Sequence, residues 1–321
     1  MMSLATALLG LTSCSQDESN NSVVETADLQ LSTEIATTRS IIEGSSFSNG
    51  DKVVLCINGA ANGIYGAWAV NDAGKWVINP TVKLNSQSVG VVGIANFPEN
   101  NDISPDALGN QQDLLVGLPD QISNGTSINA ANPKVHLSFH HVFACVSFQL
   151  KQSNGTDKLS SLSLVNIGSG SAISTKCDST MIANAAWELA SDMAKNRSYS
   201  TLWSLCQTYM QNYLAKNKQA ATITLNKSIT LAEKEQTLNL LVLPTSINSS
   251  NRVNLELTIN GNVYKVEMPA ITWSSNVRYV YPVSIDVTKD YEHSISIGQA
   301  SIEKWGAQQS LDEITVPTSM D

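Results

Sequence analysis

Val253-Asn254-Leu255-Glu256-Leu257-Thr258-Ile259, then Asn260-Gly261, then Asn262-Val263-Tyr264-Lys265-Val266-Glu267-Met268, is the stretch on which the fold turns. Both arms alternate apolar and polar side chains with the period of two that belongs to a half-buried strand. Asn-Gly between them favours a type I′ turn, whose twist matches the strands it joins. That turn sets Leu257 opposite Tyr264, Leu255 opposite Val266 and Val253 opposite Met268, all on one face. Glu256 and Lys265 fall on the other face. A slip of one residue would mix the faces, so the register is specified.

The same period recurs outward from this hairpin. Lys52-Val53-Val54-Leu55-Cys56-Ile57 is a buried strand between Asn49-Gly50-Asp51 and Asn58-Gly59. Trp68-Ala69-Val70 and Trp76-Val77-Ile78 flank a turn holding Gly74, with Val70 expected opposite Trp76 and Trp68 opposite Ile78. Val135, Leu137 and Phe139 alternate in one parity, while Val142, Ala144, Val146, Phe148 and Leu150 take the other. The phase change at His140-His141 predicts a bulge or break there. Leu238 to Leu243 is apolar in both parities and predicts a central strand that stops before Pro244. Val277, Tyr279, Tyr281, Val283, Ile285 and Val287 form another period-two run. Leu29 to Ile35 alternates in the same way. Only residues 181–218 read as helical, with Leu202, Leu205, Cys206, Tyr209, Met210 and Tyr213 on one stripe.

Composition narrows the function. The chain has 321 residues, with 42% hydrophobic and only 15% charged residues, where about 25% charged is usual. Its net charge of −9 argues against a nucleic-acid surface, which needs clustered Lys and Arg. The four histidines form no HExxH pattern, there is no CxxC, and Gly168-Ser169-Gly170-Ser171 is a turn rather than a phosphate loop. No catalytic, metal or cofactor constellation is offered, so no enzyme is expected. Cys56 and Cys145 lie in apolar strands and read as buried thiols. Cys177 and Cys206 flank the helical segment and either pair or stay free. Trp68, Trp76 and Trp273 alternate as core residues do, although a sugar-binding surface also uses such side chains.

The first forty residues carry the address. Met1 to Ser13 is a short apolar run closing in small residues before Cys14, and Leu11-Thr12-Ser13-Cys14 resembles the lipobox of bacterial lipoproteins. Cys14 is the expected lipidation site, and two or more acyl chains anchor stably. Residues 15–22 are polar and read as a tether. Arg39 is the only basic residue before Lys52.

Several segments, in order, resemble the fimbrillins of Bacteroidales, the Mfa-like pilins of type V pili. They are the lipobox, Arg39 after a short strand, Phe47-Ser48-Asn49-Gly50-Asp51-Lys52-Val53, Gly74-Lys75-Trp76 and Asn96-Phe97-Pro98-Glu99. Gln112-Asp113-Leu114-Leu115, Val135 to His141, Tyr279 to Val283 and Ile302-Glu303-Lys304-Trp305 follow. Asp178-Ser179-Thr180 also resembles the O-glycosylation acceptor of Bacteroidetes.

The fimbrillin resemblance implies a mainly β protein of two tandem β-sandwich domains, transthyretin-like or Greek-key. On that reading residues 1–14 are a lipoprotein signal peptide, and 15–39 are a tether and pro-strand removed on maturation. Residues 40–150 form the N-terminal sandwich, and 151–321 the C-terminal one with its insertion at about 181–218. An arginine-specific protease would cut between Arg39 and Ser40, and Ile314 and Val316 would belong to a donor strand for another subunit. The other partners implied are the outer membrane, through the lipid, and a host or bacterial surface ligand. The alternatives are a pilus tip or anchor subunit and a surface glycan-binding lipoprotein.

Overall fold

The computed structural model describes residues 25–35, 47–96, 102–103, 113–120, 126–166, 177–178, 186–191, 222–287 and 293–304. They are mainly β. Seven strands form the first sheet, in the order Gln30–Ile35, Lys134–His141, Leu115–Pro119, Gly90–Ala95, Lys52–Asn58, Gly66–Asp72 and Lys75–Asn79. Neighbours are antiparallel except the leading strand Gln30–Ile35, which runs parallel to Lys134–His141. On one face Val53, Leu55, Ile57, Val91, Leu115, Val135, Leu137 and Phe139 bury against Val82, Leu84 and Ile128.

The opposite face carries Cys56, Val92, Ile94, Val116 and Leu118 into a second, larger core. A helical segment at 186–191 supplies Ala186, Leu189 and Ala190 to it. Gly90 is what lets the two approach: a Cβ there would lie 1.8 Å from the Ala190 carbonyl oxygen. The remainder of the helical stretch expected over 181–218, including the Leu202–Tyr213 stripe and Cys206, lies outside the described residues. Cys177 is described, paired with Ile103 across two short strands.

Beyond His141 the chain bends at the buried Val142-Phe143 and enters a second sheet at Ala144. The break expected at His140-His141 therefore falls two residues later. The parity change marks the passage from one sheet to another, since each sheet buries a different side of the strand. The second sheet orders Gln236–Val242, Ala144–Ser153 and Val277–Val287, with His293–Ile297 and Ser301–Lys304 sharing the outer edge of Val277–Val287. A third sheet orders Thr222–Leu225, Lys158–Asn166, Val253–Ile259 and Asn262–Glu267. Phe148, Leu150, Tyr281 and Val283 from one and Leu162, Leu164, Leu255 and Leu257 from the other pool in one core. Trp273 is fully buried there, its indole N–H donating to the Tyr281 hydroxyl at 3.0 Å.

The hairpin that opens the sequence reading has the expected register: Leu257 faces Tyr264, Leu255 faces Val266, and Glu256 pairs with Lys265 at 2.7 Å. Asn260 and Gly261 both take positive φ, as a type I′ turn requires. Two other expectations need correction. In the Trp68–Ile78 hairpin Val70 faces Val77 and Asn71 faces Trp76. Ala73 and Gly74, both at positive φ, make a two-residue turn, so the pairing is one residue away from that expected and Trp68 is 45% exposed. Gln236–Val242, expected at the centre of a sheet, is an edge strand among the described residues. It is apolar in both parities because Leu241 and Leu243 are buried as well as Leu238 and Leu240.

Candidate functional site: the seat of the leading strand

The leading strand alternates Gln30, Leu31, Ser32, Thr33, Glu34, Ile35, and the sheet treats its two parities differently. Leu29 and Ile35 are each only 5% exposed, and Leu31 packs partly buried beside them. Leu31 sits in register with Val135, Thr33 with Leu137, and Ile35 with Phe139. Phe139 occupies a hollow made by two glycines that face each other across the sheet, Gly93 and Gly117. A Cβ on either would come within 2.8 Å of its ring. Phe47 meets Phe139 edge-on at 5.0 Å, and Trp76 meets Phe47 at 5.3 Å. Trp76 closes the seat by donating its indole N–H to the Thr33 hydroxyl at 3.1 Å. The strand is thus read at four inward positions: apolar, apolar, hydroxyl, apolar.

Main-chain bonding follows the same period. Gln30 N–H donates to Pro133 C=O, whereas Leu29 N–H points the other way, to Val82 C=O. Ahead of the strand, Ala27–Asp28 pairs with Lys83–Leu84.

The outward parity is electrostatic. Ser138 Oγ lies 2.9 Å from the Glu34 carboxylate and 2.8 Å from that of Asp120. One hydroxyl proton satisfies only one of them at a time. His136 Nε2 stands 3.6 Å from both carboxylates, and its Nδ1 is 2.9 Å from Ser32 Oγ. Glu34, Asp120 and His136 have metal-ligand types within 4.8 Å of one another. Next along, burial and the neighbouring His141 push the His140 pKa down to about 4, against a smaller opposing pull from Glu34. A buried hydrogen-bonded pair of His141 Nδ1 and the Asp113 carboxylate ties the start of Leu115–Pro119 to the crossover.

Sequence reasoning found the alternating leading strand but missed these partners. Glu34 and Ser138 are 104 positions apart, and only the fold brings them together. The polar parity of Lys134–His141, with His136, Ser138 and His140 in alternation, was the one available signal. Of the sites named from the sequence, Cys14, Arg39, Ser40, Ile314 and Val316 lie outside the described residues. Trp273 is core and Trp76 belongs to the seat. Burial pushes the Cys56 and Cys145 thiols up to about 11, which keeps both protonated and unreactive at neutral pH. A second histidine chain with the outline of a relay, besides Asp120–His136–Ser32, runs Asp157–His293–Tyr264, at 2.9 and 3.0 Å. It ends on a phenol whose ring sits tilted against the imidazole, and it ties the start of His293–Ile297 to Asn262–Glu267.

No curated protein matches the chain. The chain is similar in fold to a candidate cell adhesion protein of Bacteroides ovatus, at 14% identity and TM-score 0.51, over 88% of this chain and 99% of that one. Looser likenesses are to a fimbrial protein of Bacteroides vulgatus (11%, TM-score 0.46, 87% and 99%) and to the C-terminally truncated tip fimbrial protein Mfa3 of Porphyromonas gingivalis (13%, TM-score 0.38, 87% and 100%). The fimbrillin-like family model matches residues 65–305, three quarters of the chain, and the protein belongs to that family.

Proposed function

We propose that this protein is a structural subunit of a surface fimbria that serves adhesion. It is exported as a lipoprotein acylated at Cys14, cleaved between Arg39 and Ser40, and polymerised by strand exchange with other subunits, with residues around Ile314 to Pro317 as donor. The observation that carries this reading is the leading strand. Among the described residues it is the outermost strand of its sheet, bonded along its length to one neighbour, yet it fills the core with Leu29 and Ile35. Those two side chains represent about 3–6 kcal/mol of burial. Cleavage at Arg39 cuts the covalent link between strand and body. Loss of the strand then leaves the edge of Lys134–His141 without its partner and an apolar hollow beneath it, a site for β-augmentation by an incoming strand.

The full chain carrying Arg39→Ala tests this in its own host. The expected result is an unprocessed, cell-bound form with no multimer ladder, while the wild type yields mature protein beginning at Ser40 on N-terminal sequencing. Normal processing and normal ladders in Arg39→Ala would overturn the proposal.

A further inference from the structure

We infer that Glu34, Asp120 and His136 form a site for a divalent cation of the zinc class, which clips the leading strand to the body of the first sheet. Glu34 comes from the leading strand, His136 from Lys134–His141, and Asp120 directly follows Leu115–Pro119. The site is therefore complete only while the leading strand is seated. It is a property of the uncleaved chain and stands whatever later becomes of that strand.

Distances at this point distinguish a metal ion from a proton. His136 Nε2 is 3.6 Å from Glu34 Oε2 and 3.6 Å from Asp120 Oδ2. A protonated imidazole bonded to a carboxylate draws it to about 2.7–2.9 Å, and 3.6 Å is too long for a hydrogen bond. Two ligands of one tetrahedral ion, each about 2.0–2.2 Å from it, stand roughly 3.3–3.6 Å apart. All three ligand atoms lie within 4.8 Å of one another, and Glu34, the most exposed of the three, has the rotamer freedom to close the last edge. The imidazole selects the metal. Ca²⁺ and Mg²⁺ take oxygen ligands, whereas one imidazole with two carboxylates suits Zn²⁺. The outward side of the strand leaves the fourth position to water.

The groups behind the ligands orient them for this purpose. Ser138 is only 5% exposed. Its Oγ contacts Oε1 of Glu34 at 2.9 Å and Oδ1 of Asp120 at 2.8 Å, while Oε2 and Oδ2 are the oxygens nearest His136. One hydroxyl proton serves two carboxylates there, and a cation in front of them supplies positive charge that a single proton does not. Behind the imidazole, Nδ1 is 2.9 Å from Ser32 Oγ, whose hydroxyl reaches Val135 C=O at 3.4 Å. With that hydroxyl donating to the carbonyl, Ser32 accepts Nδ1–H, and the lone pair is left on Nε2, facing both carboxylates. A histidine that holds a metal keeps its other N–H bonded in this way. The leading strand thus supplies one ligand and orients another.

The full-length chain, stripped with a chelator and titrated with ZnCl₂, tests the site. It is expected to bind one ion whose X-ray absorption shows nitrogen and oxygen at about 2.0–2.2 Å and no sulfur at about 2.3 Å. A sulfur shell on the tightest-bound ion places it at cysteines and overturns the assignment. His136→Ala is expected to abolish the binding, Glu34→Gln to weaken it at least tenfold, and Ser32→Ala to weaken it about tenfold, as loss of an orienting partner does. Amide exchange of residues 30–35 reads the clip. Opening the strand takes Glu34 away, so saturating Zn²⁺ should slow that exchange by at least the factor that Glu34→Gln costs in affinity. Each variant is compared with itself with and without Zn²⁺, so a loss of stability from the substitution cancels. Ca²⁺ at equal concentration should leave the exchange unchanged, and equal protection by Ca²⁺ overturns the metal class. Undiminished affinity in Glu34→Gln, or exchange in residues 30–35 indifferent to Zn²⁺, overturns the clip. A wild-type chain that binds no more Zn²⁺ than His136→Ala overturns the site itself.

Discussion

Gly117→Ala should weaken the seat through Phe139. The added Cβ would lie 2.6 Å from Phe139 Cζ and 2.8 Å from both Cε atoms, whereas carbon atoms rest at about 3.5–4.0 Å. The ring has nowhere to go, being fully buried with Phe47 edge-on against it and Gly93 beneath. Overpacking of this kind costs about 1–3 kcal/mol. Replacing glycine in a strand returns about 0.5–1 kcal/mol of backbone entropy. The net expectation is a loss of about 1–2 kcal/mol, or a drop in Tm of roughly 2–8 °C for a unit of this size. Urea unfolding of the full-length chain reads the free energy, and the pair with Phe139→Leu reads the cause. Phe139→Leu alone is destabilising because it leaves a void over Gly117. In the double variant the alanine methyl enters that void, so the combined loss should be smaller than the sum by at least about 0.5 kcal/mol. Additive losses, or a Gly117→Ala chain more stable than wild type, would refute the close packing of Phe139 on the sheet.

Three further outcomes follow from neighbouring contacts. Thr33→Val removes the acceptor of the Trp76 indole N–H and should cost about 1–3 kcal/mol, whereas Trp76→Phe leaves a partly buried Thr33 hydroxyl that can turn to water and should cost less in the hydrogen-bond term; amide exchange of the leading strand compares them. Asp113→Ala breaks the buried pair with His141 and should cost about 3–5 kcal/mol, with Asp113→Leu/His141→Leu recovering much of it, measured as urea midpoints. His140 is held neutral by burial, with its pKa at about 4 against 6.5 in an unfolded chain. Between those values the unfolded state binds more protons. Its contribution is therefore complete above pH 6.5 and is lost as the pH falls towards 4, at most about 3 kcal/mol. His140→Gln should flatten that part of the pH profile. An unchanged slope would show that His140 does not set the acid sensitivity.

How far the sequence discloses the fold depends on what sets each register. The Val253–Met268 hairpin was legible because Asn-Gly dictates its own turn and six alternating side chains agree with it. The Trp68–Ile78 hairpin was not, because the turn puts Ala73 at positive φ, a conformation no alanine advertises, and one residue of slip turns Trp68 outward. Leu238 to Leu243 shows the limit of apolar runs: burial on both sides of a strand says that both faces are covered, not that strands lie on both edges. The leading strand was visible from its alternation. Its seat was not, because Glu34, Asp120 and Ser138, or Thr33 and Trp76, meet only after Lys134–His141 has returned alongside it.

Lys134–His141 is the floor of the seat, and after the bend at Val142-Phe143 the same chain becomes the Ala144–Ser153 strand inside the second sheet. This continuity has a mechanical consequence. On the proposed strand exchange, an incoming strand seated parallel to Lys134–His141, as the leading strand is, would be pulled from its first residue, and its host from beyond His141. The two forces lie along the strand axis in opposite directions. The main-chain bonds between them are therefore loaded together in shear rather than peeled one at a time. A subunit that holds its neighbour by a single short strand can in this way bear tension across many bonds at once, and pass it on through one uninterrupted length of backbone.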